Sequence, residues 1–552
     1  MVNKQLLIKT LRHLHEKKRK EWRADRAVLG LGILGALILG AFLVSLIGSL
    51  YLSRTVASLL PAGKTVLYLE MEDLDLPYKL ADSPLRELFS PSLLLKTLGI
   101  DESVLPSWAK KNVGVALVEN KPVLFFRSAS RRSALNFLQS MELKGEKLEN
   151  RGTPAFPIYI YPQGQSFAFA FAGPYLFMSP DAHELESINR VLQGQEPALE
   201  ADPGWKTAME NLPRTAWGKG YLNIQSLGIP ALDAVLNPLR QFSSQLGFTI
   251  RRESKGFHFN SFLALNRDVV NLNAAPATQN LLTFGLSEFM PAENLGLYLG
   301  GADLSAEWKN TLAKTAKLNP AYGILLEGLI RAQVNRIFGN QVNLENDIYP
   351  LFKGEYALGF GPKKDGAMAV ELLLTQTDPA GVKTKLAKLA DGFSLLAAQF
   401  TPQVVTVTLP DGTVSRELVT DPGSLERHKE TAEGYDVDCI ETKASVYGFC
   451  YAVTDKLAIL TNSLDALKTT LKTLHSPDAA LSAFQPFRES LSALSQVNEE
   501  MSFANFQKLI PLIQGTAWGT ILAPYLAPLD SATWVKHSFA DGVSTEGFVL
   551  IK

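Results

Sequence analysis

Charged residues disappear from one long stretch near the start of the chain. Between Arg26 and Arg54 lie 27 residues without a single Asp, Glu, Lys or Arg, most of them Leu, Gly, Ala, Ile or Val. As an α-helix this stretch rises about 40 Å, which exceeds the roughly 30 Å of a bilayer's hydrocarbon core. A lone segment in lipid must satisfy its own backbone hydrogen bonds, so only a helix fits. The pattern predicts a transmembrane signal anchor over residues 27–53.

The remainder of the chain mixes strand and helix patterns. Apolar residues alternate with a period of two in TVLYLEM (65–71) and SFAFAFAG (166–173), which predicts strands. SPDAHELESINRVLQG (179–194) has helical periodicity, with Ser179 placed to cap its start and a buried stripe that ends at Leu192. Connections of hairpin length favour antiparallel pairing. The predicted fold class is α+β, with helices packed on one side of a mostly antiparallel sheet.

Two stretches of the chain open in the same way. PAGKTVLYLEMEDL, from Pro61, and PAENLGLYLGGADL, from Pro291, agree at seven of their positions without a gap. Residues 173–192 are echoed by 455–474 at an offset of 282, so the offset grows from 230 along the chain. A period this long indicates two tandem homologous units rather than a solenoid. The growing offset places an insertion near 401–433, where alternating Val and Thr around a Pro-Asp-Gly predict a β-hairpin.

These patterns divide the chain into five predicted segments. They are a basic cytoplasmic tail (1–26), the transmembrane anchor (27–53), an extracytoplasmic repeat unit (54–268), a linker (269–279) and a second extracytoplasmic repeat unit (280–552).

The charge distribution sets the predicted orientation. Residues 1–26 hold nine basic and three acidic residues, a net charge of +6; the whole chain is at −1, so the remainder carries −7. By the positive-inside rule the tail stays in the cytoplasm, and the chain is a single-pass plasma-membrane protein with its body outside. An acidic body also excludes nucleic acid as a partner. A cleaved signal peptide is the other interpretation, but the apolar run is too long for one and Thr55–Ala57 is a poor cleavage site.

Small residues line one face of the predicted membrane helix. Gly32, Ala36 and Gly40 are four residues apart, a spacing that lets two helices approach closely and would support a homo-oligomer. The competing explanation, which we favour, is that small residues are common in membrane helices.

The two cysteines of the chain, Cys439 and Cys450, are candidates for a disulfide, because such bonds persist outside the cytoplasm. They flank a predicted turn at 442–445, which places them on neighbouring strands, slightly off direct opposition. The sequence leaves their pairing open, since disulfide geometry is narrow.

The chain offers no recognised catalytic signature. It has no Walker A, HExxH or GxSxG motif, and GLGILG (30–35) lies in the predicted membrane segment, where it cannot bind a dinucleotide. The histidines outside the tail are not near each other or near a cysteine at metal-ligand spacing, so we expect structural or surface residues and predict no metal and no cofactor. They are His183, His258, His428, His475 and His537. Asp73 and Asp303 are the acids common to both repeats. They either bind a cation or act as acid and base, or they are turn residues before a helix; we favour the turn, with Ser305 as the helix cap.

Three segments together resemble a known family. LLPAGKTVLYLEM and FMPAENLGLYLGG follow the anchor and open the second unit, and NDIYPLFKGEYALGF (346–360) precedes a predicted strand. In this combination the chain resembles the bacterial family catalogued as domain of unknown function 3352, over roughly residues 55–552. The resemblance implies an anchored, extracytoplasmic protein of unassigned activity, and it supplies no catalytic residues.

Three functions are compatible with these features. The first is a non-enzymatic envelope protein whose duplicated body binds a protein, an envelope polymer or a lipid. The second is a carrier of an apolar ligand in a groove between the repeats. The third is a hydrolase whose site is assembled only by the fold, because the members of such a site need not be close in sequence.

Overall fold

A computed structural model gives the structure of the protein, and it describes residues 55–72, 113–128, 132–136, 149–153, 156–161, 167–172, 175–228, 240, 243–266, 282–283, 285–301, 303–318, 320–363, 367–400, 402–408, 410, 412–420, 425–442, 448–495, 499–539 and 541–552. The predicted tail, membrane segment and linker lie outside these residues, as do Gly32, Ala36, Gly40 and Asp73. Within the described residues, no helix combines the length and apolar character needed to span a bilayer.

The chain forms two compact units. The first comprises residues 1–228 and 247–250, and the second comprises 229–246 and 251–552. The predicted repeats divide the chain later, at 269–279, so residues 251–266 belong to the first repeat by sequence and to the second unit by contact.

The first unit is a sheet with helices against it. Its strands are β1 Thr65–Met71, β2 Val113–Val118, β3 Lys121–Arg127, β4 Glu149–Thr153, β5 Phe156–Tyr161, β6 Phe167–Ala172, β7 Tyr175–Ser179 and β8 Gly218–Asn223. Its longer helices are α1 Ala182–Leu192 and α2 Pro203–Glu210. All pairings are antiparallel, in the spatial order β8-β1-β2-β3-β7-β6-β5-β4. Strand β9 (Ser243–Glu253) has only residues 247–250 in this unit.

The second unit is a larger sheet of the same kind. Its strands are β10 Gly256–Leu265, β11 Gly296–Gly300, β12 Tyr356–Pro362, β13 Met368–Thr375, β14 Pro402–Thr408, β15 Val414–Thr420, β16 Leu425–Ala432, β17 Tyr435–Thr442, β18 Gly448–Val453, β19 Leu457–Thr461, β20 Glu500–Asn505, β21 Leu529–Ser538 and β22 Gly542–Ile551. Its longer helices are α3 Leu304–Leu318, α4 Pro320–Phe338, α5 Pro379–Phe400, α6 Leu464–His475, α7 Gln485–Ser492, α8 Phe506–Ile513 and α9 Ala517–Leu526.

Strand pairing in the second unit is also antiparallel. The spatial order is β10-β22-β21-β20-β11-β12-β13-β19-β18-β17-β16. Strands β14 and β15 form a separate hairpin, which confirms the hairpin predicted around residues 410–412. Gly412 lies in its turn with φ of +79°, a conformation that glycine adopts without a steric penalty.

Helices cover both faces of the second sheet, so the prediction of helices on one side is wrong for this unit. Leu471 of α6 packs in one core cluster with Cys439, whereas Leu386 of α5 packs in a second cluster with Ile440. Cys439 and Ile440 are neighbours on β17, and successive residues of a strand point to opposite faces. The two clusters therefore lie on opposite faces of the sheet.

The start of α1 differs from the prediction. Ser179 is the last residue of β7, and Asp181 caps the helix, because its carboxylate accepts the backbone N–H of His183 at 3.0 Å. The buried stripe of α1 ends at Val191, and Leu192 is exposed.

The shared opening motif places a tyrosine on a central strand of each unit. The Tyr68 hydroxyl donates to Glu70 at 2.6 Å, and the Tyr298 hydroxyl bonds to Glu500. Burial raises the pKa of both phenols. The motif thus supplies a large side chain, buried in the first unit and half-buried in the second, whose hydroxyl is bonded to a carboxylate.

Candidate functional site

Three adjacent strands of the second unit bring polar side chains together. In their registers Asn260 of β10 lies opposite Glu546 of β22, and His537 of β21 lies opposite Ser544 of β22. Directly opposed residues of antiparallel strands project on the same face of a sheet. These four polar side chains therefore share one face, although they are far apart in sequence.

A cavity of about 240 Å³ lies over this face. It is lined by Asn260, Ser495, Val535, His537, Phe539, Ser544 and Glu546. Phe539 is half-exposed, and its ring meets the His537 ring edge-on at 4.6 Å between centroids. The cavity therefore has a polar floor and an aromatic wall.

Glu546 is the charged group of the cavity. Burial opposes its ionisation, but hydrogen bonds from the His258 Nε2 at 2.8 Å and the backbone N–H of Ser495 at 3.0 Å outweigh burial and lower its pKa to about 2. The carboxylate is therefore ionised across the physiological range.

The contacts of the second ring nitrogen, Nδ1, determine the tautomer of His258. Nδ1 lies 2.9 Å from Nη2 of Arg251 and 3.2 Å from Oε1 of Glu253. A guanidinium can only donate, so the closer contact makes Nδ1 an acceptor and leaves the proton on Nε2, which donates to Glu546. Arg251 and Glu546 together hold the imidazole in one tautomer.

Two residues that line the cavity each carry a buried polar atom without a hydrogen-bond partner. Nδ2 of Asn260 and Nδ1 of His537 are buried and have no partner among the described residues. Buried polar atoms are nearly always paired, by protein, water or ligand. Asn260 and His537 are therefore the candidate residues for binding a polar ligand in the cavity.

His258 and Glu546, beside the cavity, do not have the arrangement of a hydrolase catalytic triad. In a Ser-His-Asp triad the second imidazole nitrogen faces the nucleophile's hydroxyl. In this protein Nδ1 of His258 faces Arg251 instead. His258 and Glu546 thus have the geometry of a fixed structural pair that shapes the cavity floor.

Asp303 has the turn role that we favoured. Its carboxylate accepts the backbone N–H groups of Ser305 at 2.9 Å and Ala306 at 3.1 Å, so Asp303 itself caps α3. The prediction of Ser305 as the cap is wrong, because the helix begins at Leu304. Asp73, its predicted counterpart, lies outside the described residues.

Cys439 and Cys450 lie directly opposite each other on β17 and β18 and form a disulfide. The offset register predicted for them is wrong. Together with Glu441 they are the only cluster of candidate metal ligands within the described ranges. The disulfide leaves no thiolate to bind a metal there.

Sequence reasoning missed the cavity. His258 and His537 are among the histidines that we expect to be structural or surface residues, and no sequence pattern marks Glu546. A weak signal exists in FHFNSF (257–262), where His258 and Asn260 alternate with phenylalanines on one side of a strand. Only the pairing of β10 with β22 brings these residues to Glu546.

The fold and site define an antiparallel α+β protein with a small polar cavity in its second unit. The chain belongs to the family described as protein of unknown function DUF3352, whose sequence model matches residues 103–533. The family resemblance is thereby confirmed.

Further comparisons add two findings. No curated protein matches the chain. Among solved structures, crystal forms III and I of TP0453 are similar at 12% identity and a TM-score of 0.24, covering 41% of this chain and 83% and 81% of theirs.

Proposed function

We propose that the protein is a single-pass envelope protein whose extracytoplasmic body binds a ligand without covalent chemistry. The observation that carries the proposal is the cavity of the second unit, whose lining residues Asn260 and His537 each carry a polar atom without a hydrogen-bond partner. The disulfide between Cys439 and Cys450 supports a location outside the cytoplasm, because such bonds form and persist in oxidising compartments. The uncharged run at 27–53 is the proposed anchor.

We further propose that the body arose by tandem duplication. Strands β8-β1-β2-β3-β7-β6-β5-β4 of the first unit and β20-β11-β12-β13-β19-β18-β17-β16 of the second have the same pairing order. The prolines that open the shared motif also have matching partners, since Pro61 bridges to Ala198 and Pro291 to Ala480. On this account the β14–β15 hairpin is the core of the insertion.

The chemistry of the cavity selects the ligand class. An ionised Glu546 disfavours anions, whereas the amide of Asn260 and the hydroxyl of Ser544 suit a neutral ligand with hydroxyl or amide groups. The exposed ring of Phe539 offers an apolar surface to the ligand's C–H groups. The volume lies below the roughly 300 Å³ at which pockets for drug-sized ligands begin, so the ligand is small. A single sugar unit of an envelope polymer fits these requirements.

Calorimetric titration of the full chain with free monosaccharides and N-acetylated amino sugars tests the proposal. We expect saturable binding to at least one of them, and we expect Asn260→Ala and His537→Ala each to raise Kd roughly tenfold, since each removes one hydrogen bond to the ligand. His428→Ala, at a half-buried position on β16 outside the cavity lining, is the matched control and should leave Kd unchanged.

Three results would count against the binding proposal. They are the absence of binding to every sugar, wild-type affinity in both cavity variants, and covalent labelling by a serine-hydrolase probe. The remaining alternative, a carrier of an apolar ligand, is tested by mass spectrometry of lipids extracted from the purified protein. A bound lipid in stoichiometric amount would favour the carrier.

A further inference from the structure

Helix α4 carries apolar side chains on the face that it turns to solvent. Ile324, Leu325 and Leu329 are 76%, 59% and 52% exposed. Among the positions from 321 to 332 whose side chains the structure describes, the other exposed residues are Ala or Gly, and the charged pair Glu327 and Arg331 is partly exposed. A surface helix in water normally presents polar residues on its outer face. A contiguous apolar face of this kind marks a surface that another body covers.

The opposite face of α4 is held by the protein, so the apolar face has a fixed direction. Gly323 approaches Ala316 of α3 so closely that an added Cβ would lie 3.0 Å from the alanine methyl group. Arg331 forms ion pairs with Glu327, one turn earlier, and with Glu345 beyond the helix. α4 cannot turn its apolar face inward without breaking its contacts with Ala316 and Glu345.

The charge around this face identifies what covers it. Residues 304–338, which form α3 and α4, hold five basic and two acidic residues, a net charge of +3 in a body that is otherwise acidic. Exposed Arg336 continues the outward face one turn beyond Ala332. An apolar stripe on a basic helical pair matches an anionic lipid surface, which receives the apolar side chains and attracts the cations. A second copy would bring two positive segments together, so the charge favours lipid.

We infer that the outward face of α4 docks on the anionic phospholipid surface of the membrane that anchors the chain. Ile324, Leu325 and Leu329 enter the interfacial region, and Arg336 contacts the head groups. This inference rests on the proposed anchor for the identity of the membrane and is independent of the cavity and its ligand.

The test uses the full chain in lipid nanodiscs. Both native cysteines are in the disulfide, so a cysteine introduced by Leu325→Cys can be labelled selectively with an environment-sensitive fluorophore. In discs that contain phosphatidylglycerol we expect a blue shift and an intensity gain relative to discs of phosphatidylcholine alone. The same label at Asp455→Cys, in an exposed turn, is the matched control and should not respond.

Two further variants separate the apolar and the electrostatic contributions. The double variant Ile324→Asn, Leu329→Asn should abolish the blue shift. A thermal unfolding curve unchanged from that of the wild type would show that the double variant is folded. Arg336→Glu should weaken the dependence of the shift on phosphatidylglycerol.

Emission at position 325 that is the same in both discs would overturn the inference. A shift that follows protein concentration rather than lipid composition would overturn it too, in favour of a second copy. A chain that fails to enter discs would refute the anchor instead.

Discussion

Glu371 is a carboxyl group in the core of the second unit. It lies on β13 and is almost fully buried, and the side-chain amide of Asn294 donates to it at 3.1 Å. Burial raises its pKa to about 7, against the smaller opposing effect of hydrogen bonds from Asn294 and Thr470. The folded protein therefore holds this proton at a pH where the unfolded chain releases it.

This proton predicts a pH dependence of stability. Because the folded pKa lies above the unfolded value near 4.5, the contribution of Glu371 is complete below about pH 4.5 and is lost as pH rises towards 7, by roughly 3 kcal/mol. Glu371→Gln keeps a neutral side chain, so its free energy of unfolding should fall by roughly 3 kcal/mol less than that of the wild type over that range. Denaturant titrations at several pH values measure the difference.

Glu426→Gln, at an exposed position on β16, is the control for this prediction and should retain the wild-type pH dependence. If the free energy of unfolding changes equally with pH in Glu371→Gln and the wild type, the Glu371 carboxyl is ionised in the folded protein. The sequence hints at this residue, because Ala369, Glu371 and Leu373 alternate on one face of a strand, but it cannot show that the face is closed to water.

At the scale of elements, the disulfide depends on strand register. A turn at 442–445 would place Cys439 opposite Gly448, whereas the observed pairing is centred one residue later and places it opposite Cys450. Register in a hairpin follows from the length and type of its connection, which sequence specifies weakly outside the common two-residue turns. A one-residue error in the predicted position of the turn was therefore enough to give Cys439 the wrong partner.

The disulfide should stabilise the second unit. It closes a loop of 11 residues in the unfolded chain, which corresponds to about 3 kcal/mol. We expect the double variant Cys439→Ala, Cys450→Ala to lose about that much free energy of unfolding in denaturant titrations. Reductant should lower the wild-type unfolding midpoint and leave the double variant unaffected. Alkylation of two thiols in the unreduced, denatured protein would contradict the bond.

The packing of helices on both faces was predictable in part. ELLLT in β13 and LAIL in β19 are nearly continuous apolar runs, which are typical of strands buried on both sides. The clean alternation of TVLYLEM in the first unit predicts instead a sheet with helices on one side. α5 and α6 then occupy opposite faces because both rows of side chains must leave water.

At the scale of the whole molecule, orientation in the membrane is the prediction on which the proposed function depends. An alkaline phosphatase fusion folds only where its disulfides form, so a fusion after Lys552 should be active in cells and a fusion after Arg26 inactive. Activity measured in intact cells, normalised to the amount of fusion protein, checks this. The reverse pattern would place the body in the cytoplasm and remove the envelope role.

The chain's local patterns were enough to predict antiparallel α+β structure, the hairpin around Gly412, a helix-starting turn at Asp303 and membership of the family, because periodicity, turn chemistry and short motifs act over a few residues. The cavity, the buried proton of Glu371 and the partner of Cys439 were decided by the tertiary structure alone. They bring together residues that are 11 positions apart for Cys439 and Cys450, 77 for Asn294 and Glu371, and 288 for His258 and Glu546. Such contacts depend on the register and packing of whole elements, and no local pattern of side chains encodes them.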